Sequence, residues 1–255
     1  MFCVAAMHWN IHQLQPSNNV SKELILQGYI IKSQDIGEHD VLLTFFSLEH
    51  GKLRVIVKSA KKLTSRLAGR LQAAAKIEIT LAGNHSLPKL IGASVQESFH
   101  DIVQSQDRIA VVMVLQEYTN RALADLQPNE QLFENYSQAL RQLAVADTSE
   151  CLRIATFFIV QTLQAIGVAP RLLQQEYTGA KLWLNFDDGS FIVNSGTGQQ
   201  SEVTLKVYEL FVNLYQAGDR ETYDDVVWQK LLKLLNDFSG YQLERQLRAA
   251  EYFLS

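Results

Sequence analysis

The chain has 255 residues, 47% of them hydrophobic and 20% charged, which is enough to bury a sizeable core in one or two domains. Its net charge of −4 argues, as an average, against a nucleic-acid partner. No run approaches the roughly 18 consecutive apolar residues of a membrane helix, so no membrane partner is expected. Only Cys3 and Cys151 are present, so the chain alone can build neither a disulfide framework nor a four-thiolate zinc site, and no metal or other cofactor is expected.

Residues 1–21 carry His8, His12, Pro16 and the polar run Ser17, Asn18, Asn19 without periodicity, and read as a loose extension. They lack the basic start and long apolar stretch of a secretory signal, so a cytoplasmic location is expected. From Leu24 to Phe99 the pattern is strand-like, with short β-branched and apolar segments between Gly-containing turns. Strands are expected over Leu24–Lys32, Val41–Ser47, Lys52–Lys58, around Ile77–Leu81 and over Lys89–Gln96, with a short helix over Lys61–Leu71. Five strands with a helix inserted after the third is the arrangement of an OB-fold barrel, which commonly binds single-stranded nucleic acid.

After Phe99 the period becomes helical. Ile109–Ala124 is apolar almost all round, as in a helix buried at the centre of a bundle. Leu152, Ala155, Ile159, Leu163 and Ile166 form a stripe preceded by Asp147 and Glu150 as a start signal. Leu205, Tyr208, Val212 and Tyr215 form another, and Val227, Leu231, Leu234 and Phe238 a third, with Thr222 and Asp225 spaced as a capping box. Lys181–Phe186 and Phe191–Asn194 flank a turn and read as a β-hairpin. The fold class is therefore α+β: a barrel domain over 22–100, then a mainly helical domain over 101–255 with a hairpin at about 180–195.

The average charge conceals a segregation. Lys52, Arg54, Lys58, Lys61, Lys62, Arg66, Arg70 and Lys76 fall within 25 residues that contain no acid, so this stretch carries +8 against −4 overall and leaves −12 on the other 230. Leu53, Val55 and Val57 alternate with Lys52, Arg54 and Lys58, which sets an apolar row on one face of a strand and cations on the other. These eight residues are the candidate DNA-binding set, the plainer alternative being a solvated face. Tyr29, Phe45, Phe46 and Phe99 offer rings for base stacking, but aromatics in strands are more often core.

Catalytic patterns are weak. His39 lies between Glu38 and Asp40, but adjacent strand residues point to opposite faces, and a turn accounts for all three. Asp187–Asp188 and Asp224–Asp225 suit a turn and a helix start. Gly196, Thr197 and Gly198 lack the Lys-Ser/Thr ending of a phosphate loop. No enzyme is expected.

The stretch IGEHDVLLTFFSLE (Ile36–Glu49), followed by HGKLRVIVKSAKKLTSRLAG (His50–Gly69), resembles the N-terminal barrel of the RecO family of DNA repair and recombination proteins. The pattern consists of a Gly-Glu-x-Asp turn at Gly37–Asp40, a Glu-His-Gly hairpin at Glu49–Gly51, a basic strand and Lys-rich turn at Lys52–Lys62, and Ser-Arg-Leu-x-Gly at Ser65–Gly69. CLRIATFFIVQTLQAIG (Cys151–Gly167), KLWLNFDDGSF and the C-terminal SGYQLERQLRAAEYFL continue it. Many members carry two cysteine pairs that form a zinc site near the hairpin. None of those cysteines occurs here, so metal binding is not carried over, and the hairpin is expected to be held by Trp183, Phe186 and Phe191.

The resemblance implies a protein that binds single- and double-stranded DNA and anneals complementary strands. It also implies contacts with the acidic C-terminal tail of the single-strand-binding protein, and joint action with RecR in loading the recombinase onto coated gaps at the nucleoid. The acidic tail needs a cation beside an apolar pocket, for which Arg121, Arg141 and Arg153 are candidates. The alternative is a helical protein-interaction adaptor whose barrel is structural.

Overall fold

The computed structural model describes residues 23–61, 74–83, 87–174, 177, 179, 181–216 and 223–254. The expected extension over 1–21 and nearly all of the expected helix over 61–71 lie outside these residues.

Five strands, β1 (Leu24–Ile36), β2 (Asp40–Ser47), β3 (Gly51–Val57), β4 (Ala75–Ala82) and β5 (Lys89–Ser98), close into a barrel in the order β1-β2-β3-β5-β4. β1 serves two neighbours, pairing with β4 along Leu24–Gly28 and with β2 along Gly28–Ile36. Gly28 sits where the strand passes from one partner to the other, and a Cβ there would lie 2.0 Å from the Phe46 carbonyl oxygen. Only glycine permits that approach.

The two-residue side-chain period gives the barrel two apolar faces. Ile30, Phe45, Leu53, Val55, Val57, Ile77 and Ile79 fill its interior. Tyr29, Ile31 and Phe46, their sequence neighbours, point outward into a second core shared with the helices. There Phe46 meets Phe133 edge-on at 5.3 Å and Tyr29 packs 4.9 Å from Tyr136. The Tyr29 hydroxyl donates to Ser137 Oγ at 2.9 Å. All four aromatics considered for stacking are thus core, none more than 7% exposed.

The helical domain comprises α1 (Gln106–Ala122), α2 (Glu130–Val145), α3 (Thr148–Ala165), α4 (Leu205–Tyr215) and α5 (Asp225–Gln242). α1 runs through its centre and packs on α2, α3 and β1. α2 lies outside the helices expected from the sequence. α3 begins with the expected Asp147–Glu150 capping box. The cap of α5 differs from expectation: Asp224, not Thr222, is its N-cap residue, and it makes no side-chain capping bond.

The hairpin, β6 (Lys181–Asn185) and β7 (Phe191–Ile192), gains a third strand, β8 (Gln200–Thr204), in the order β7-β6-β8. Phe186 packs on Phe238 and Tyr241, and Phe191 on Tyr208 and Phe211. Both rings are buried, whereas Trp183 is only partly so and contributes less than expected.

Candidate nucleic-acid interface

The β3 alternation is realised as the pattern implies, with Leu53, Val55 and Val57 inward. The cations on its outer face and beyond meet different surroundings. Lys52 turns toward the helices: its side chain is 12% exposed, its Nζ donates to the Asn120 carbonyl at 2.8 Å, and it pairs with Asp125 at 3.5 Å. Lys76, on β4, lies over the Phe133 ring at 5.8 Å, also at the junction.

Arg54, Lys58 and Lys61 keep side-chain exposures of 60, 55 and 36%. Each faces an acid from outside the basic segment: Arg54 pairs with Asp125 at 3.5 Å, Lys58 with Asp40 at 2.6 Å and Lys61 with Asp35 at 2.5 Å. Asp40 also accepts from the Ser59 amide at 2.9 Å. The Lys58 ammonium, together with that amide, holds the Asp40 carboxyl below its ordinary value. The Lys61 amide donates to the His39 carbonyl, so the turn after β3 is tied to the tip of the β1–β2 hairpin. Lys62, Arg66 and Arg70 lie outside the described residues.

The segregation of charge along the sequence is therefore softened in space. Asp35 and Asp40 come from the hairpin and Asp125 from the segment after α1. The Gly37–Asp40 turn is readable in the sequence, but its meeting with Lys58 needs the β2–β3 register, in which Val41 pairs with Val57. Exposed ion pairs contribute at most about 1 kcal/mol, so little free energy ties these cations to their acids.

On the helices, Arg121 ends α1 and is partly buried. Arg141 makes a two-pronged contact with Glu97 of β5 at 3.1 and 3.2 Å, which holds its guanidinium charged more firmly than usual. Arg153 lies 5.9 Å from the centre of the Trp228 ring and 3.9 Å from Asp225, and its Nε is buried without a hydrogen-bond acceptor. The three arginines sit on different elements and form no single site. Desolvation pushes the buried Cys151 thiol up to about 11, so it stays protonated and unreactive. Among the described residues no group of three or more His, Cys, Asp or Glu is placed to hold a metal, and no helix is long and apolar enough to cross a membrane.

A closed barrel in the order β1-β2-β3-β5-β4 is an OB-fold, a class whose second and third strands and adjoining loops serve as an oligonucleotide-binding face. Residues 22–99 match the family model described as Recombination protein O N terminal, and residues 104–251 the one described as Recombination protein O C terminal. The chain belongs to the RecO family, whose role lies in DNA repair and recombination. It is similar to the DNA repair protein RecO of Gloeothece citriformis, at 27% identity over 91% of this chain and 96% of that one. The RecO of Desulforamulus reducens is 29% identical over 89 and 92%, and that of Salinibacter ruber 26% over 86 and 87%.

Proposed function

We propose that the protein is a recombination mediator rather than an enzyme. It binds single- and double-stranded DNA, anneals complementary strands and, with RecR, helps load the recombinase onto gaps coated by the single-strand-binding protein, working at the nucleoid in the cytoplasm. The observation that carries this reading is the exposed group Arg54, Lys58 and Lys61 beside the β1–β2 hairpin of an OB-fold. Exposed cations, each facing a single carboxylate, suit strands that must be gripped and released, because phosphate contacts add affinity without reading sequence. Lys62, Arg66 and Arg70 are assigned to DNA contact by their charge in this proposal, while Lys52 and Lys76 act through the domain junction. For the acidic tail of the single-strand-binding protein, Arg153 is favoured over Arg121 and Arg141, since it sets a cation beside an indole.

The test is a salt titration of labelled single strands next to an annealing time course. Replacing Arg54, Lys58 and Lys61 together with Ala should flatten the salt slope by roughly 2, at about 0.7 per phosphate contact, and weaken binding equally across sequences. Annealing should fall further than binding, because two strands must be neutralised at once. An unchanged slope with unchanged annealing would favour the second reading, a helical adaptor capped by a structural barrel, toward which the inward turn of Lys52 and Lys76 points.

A further inference from the structure

The barrel is zipped incompletely between β3 and β5. The two strands pair only at Ile56 and Lys89, where the Ile56 amide donates to the Pro88 carbonyl at 2.9 Å. Two turns of the pleat away, Lys52 pairs with Asp125, and its carbonyl accepts from the Leu126 amide at 2.8 Å. Arg54 lies midway and in phase with both, so its N–H and C=O point to the same edge. Among the described residues no strand pairs with it there.

A cavity of about 430 Å³ opens at this gap, lined by Leu24, Leu53, Leu81 and Leu126, with His50 and Arg54 beside them. Leu53 and Leu81 are buried in the barrel core, but Leu24 is 40% and Leu126 67% exposed. Leu126 also holds φ at +60°, a conformation branched side chains rarely adopt. Backbone strain of this kind clusters at ligand clamps, and here it falls on an exposed leucine at an apolar cavity.

We propose that this cavity receives one base of a bound single strand, resting against Leu24 and Leu126, with the adjoining phosphate on the Arg54 guanidinium. The proposal rests on the DNA-binding reading above. The size of the gap selects a base over a peptide. An added β-strand needs a run of free edge, whereas among the described residues Asp125 and Lys89 stand at either side of Arg54 and leave no such run. An aliphatic wall accepts any of the four bases. The barrel also needs such a site, because every one of its Phe and Tyr rings is buried. Charge agrees: Lys52 and Arg54 share the single carboxylate of Asp125, leaving one cation in excess.

Leu126→Gly in the full chain tests this, because glycine takes a positive φ without strain while removing the wall. Affinities are measured for labelled oligothymidine and for the same strand with its bases removed. The wild type should bind the abasic strand about fivefold more weakly, the lower end of what one stacked base contributes. Leu126→Gly should bind the intact strand about fivefold more weakly, lose the distinction and melt at or above the wild-type temperature. Leu24→Ala, at the exposed start of β1, should reproduce the loss should the glycine variant fold poorly. Base-independent binding by the wild type, or base dependence retained in both variants, overturns the cavity assignment while leaving DNA binding intact. Failure of the wild type to bind either strand removes the DNA-binding reading itself.

Discussion

Lys52 and Lys58 leave the same strand region on the same face, yet one is a largely buried strut and the other an exposed cation paired only at the surface. A charged amine held at 2.8 Å by the Asn120 carbonyl and 12% exposed has exchanged most of its water for protein. Lys52→Ala should therefore lower stability by about 1.5–3 kcal/mol, the range for losing a hydrogen bond to a charged group, and reduce DNA binding only in proportion to lost fold. Lys58→Ala should leave the urea midpoint near wild type and lower the salt slope by about 0.7. Equilibrium denaturation and salt titration of the two variants give opposite rankings if this division holds. The alternation that turned Leu53, Val55 and Val57 inward was plain in the sequence. What lies opposite an outward lysine was not, since Asn120 and Asp125 approach β3 from the far end of α1.

Single elements vary in legibility for equally physical reasons. α3 announces itself: Asp147 accepts from the Glu150 amide at 2.9 Å while Glu150 reaches back to the Asp147 amide at 2.8 Å, as their spacing implies. Bonds from the Ser149 hydroxyl and the Glu150 amide keep the Asp147 carboxyl below its ordinary value. A carboxyl whose pKa is lower folded than unfolded adds stability above the unfolded value and loses it as pH falls through the folded one. NMR titration should accordingly find Asp147 ionising below an ordinary aspartate, and Asp147→Asn should flatten the acid limb of the stability profile below about pH 4. α2 carried an equally good signal, with Leu132, Phe133, Tyr136, Ala139, Leu140 and Leu143 buried on one face and Asn129 as its cap. β8 carried none: Gln-Ser-Glu-Val-Thr has a single buried residue, Val203, and forms because β6 offers it five successive pairings.

Across the whole molecule, the barrel and the helices are bonded by one apolar core rather than laid side by side. Tyr29, Ile31 and Phe46 belong to the same packed cluster as Phe133, Tyr136 and Phe158. Urea unfolding should accordingly be one transition, with amides of β2 and α3 exchanging at a common free energy. Phe133→Ala, which opens a void between Tyr29 and Phe46, should cost about 3–5 kcal/mol and lower both together. Separate transitions by hydrogen exchange would contradict this. Two domains were readable from the switch in period near Phe99, but their fusion was not, since Phe45 and Phe46 look alike in the sequence and only the strand's phase decides which ring faces which core.

That outward ring has a consequence for anyone who cuts the chain. A fragment ending at Phe99 would keep its interior filled yet bare Tyr29, Ile31 and Phe46 to water as one continuous greasy face. Such a face seeks a mate. The severed barrel should elute as dimers or larger species in size-exclusion chromatography, and a polar replacement of Phe46, ruinous in the full chain, should make the fragment monomeric.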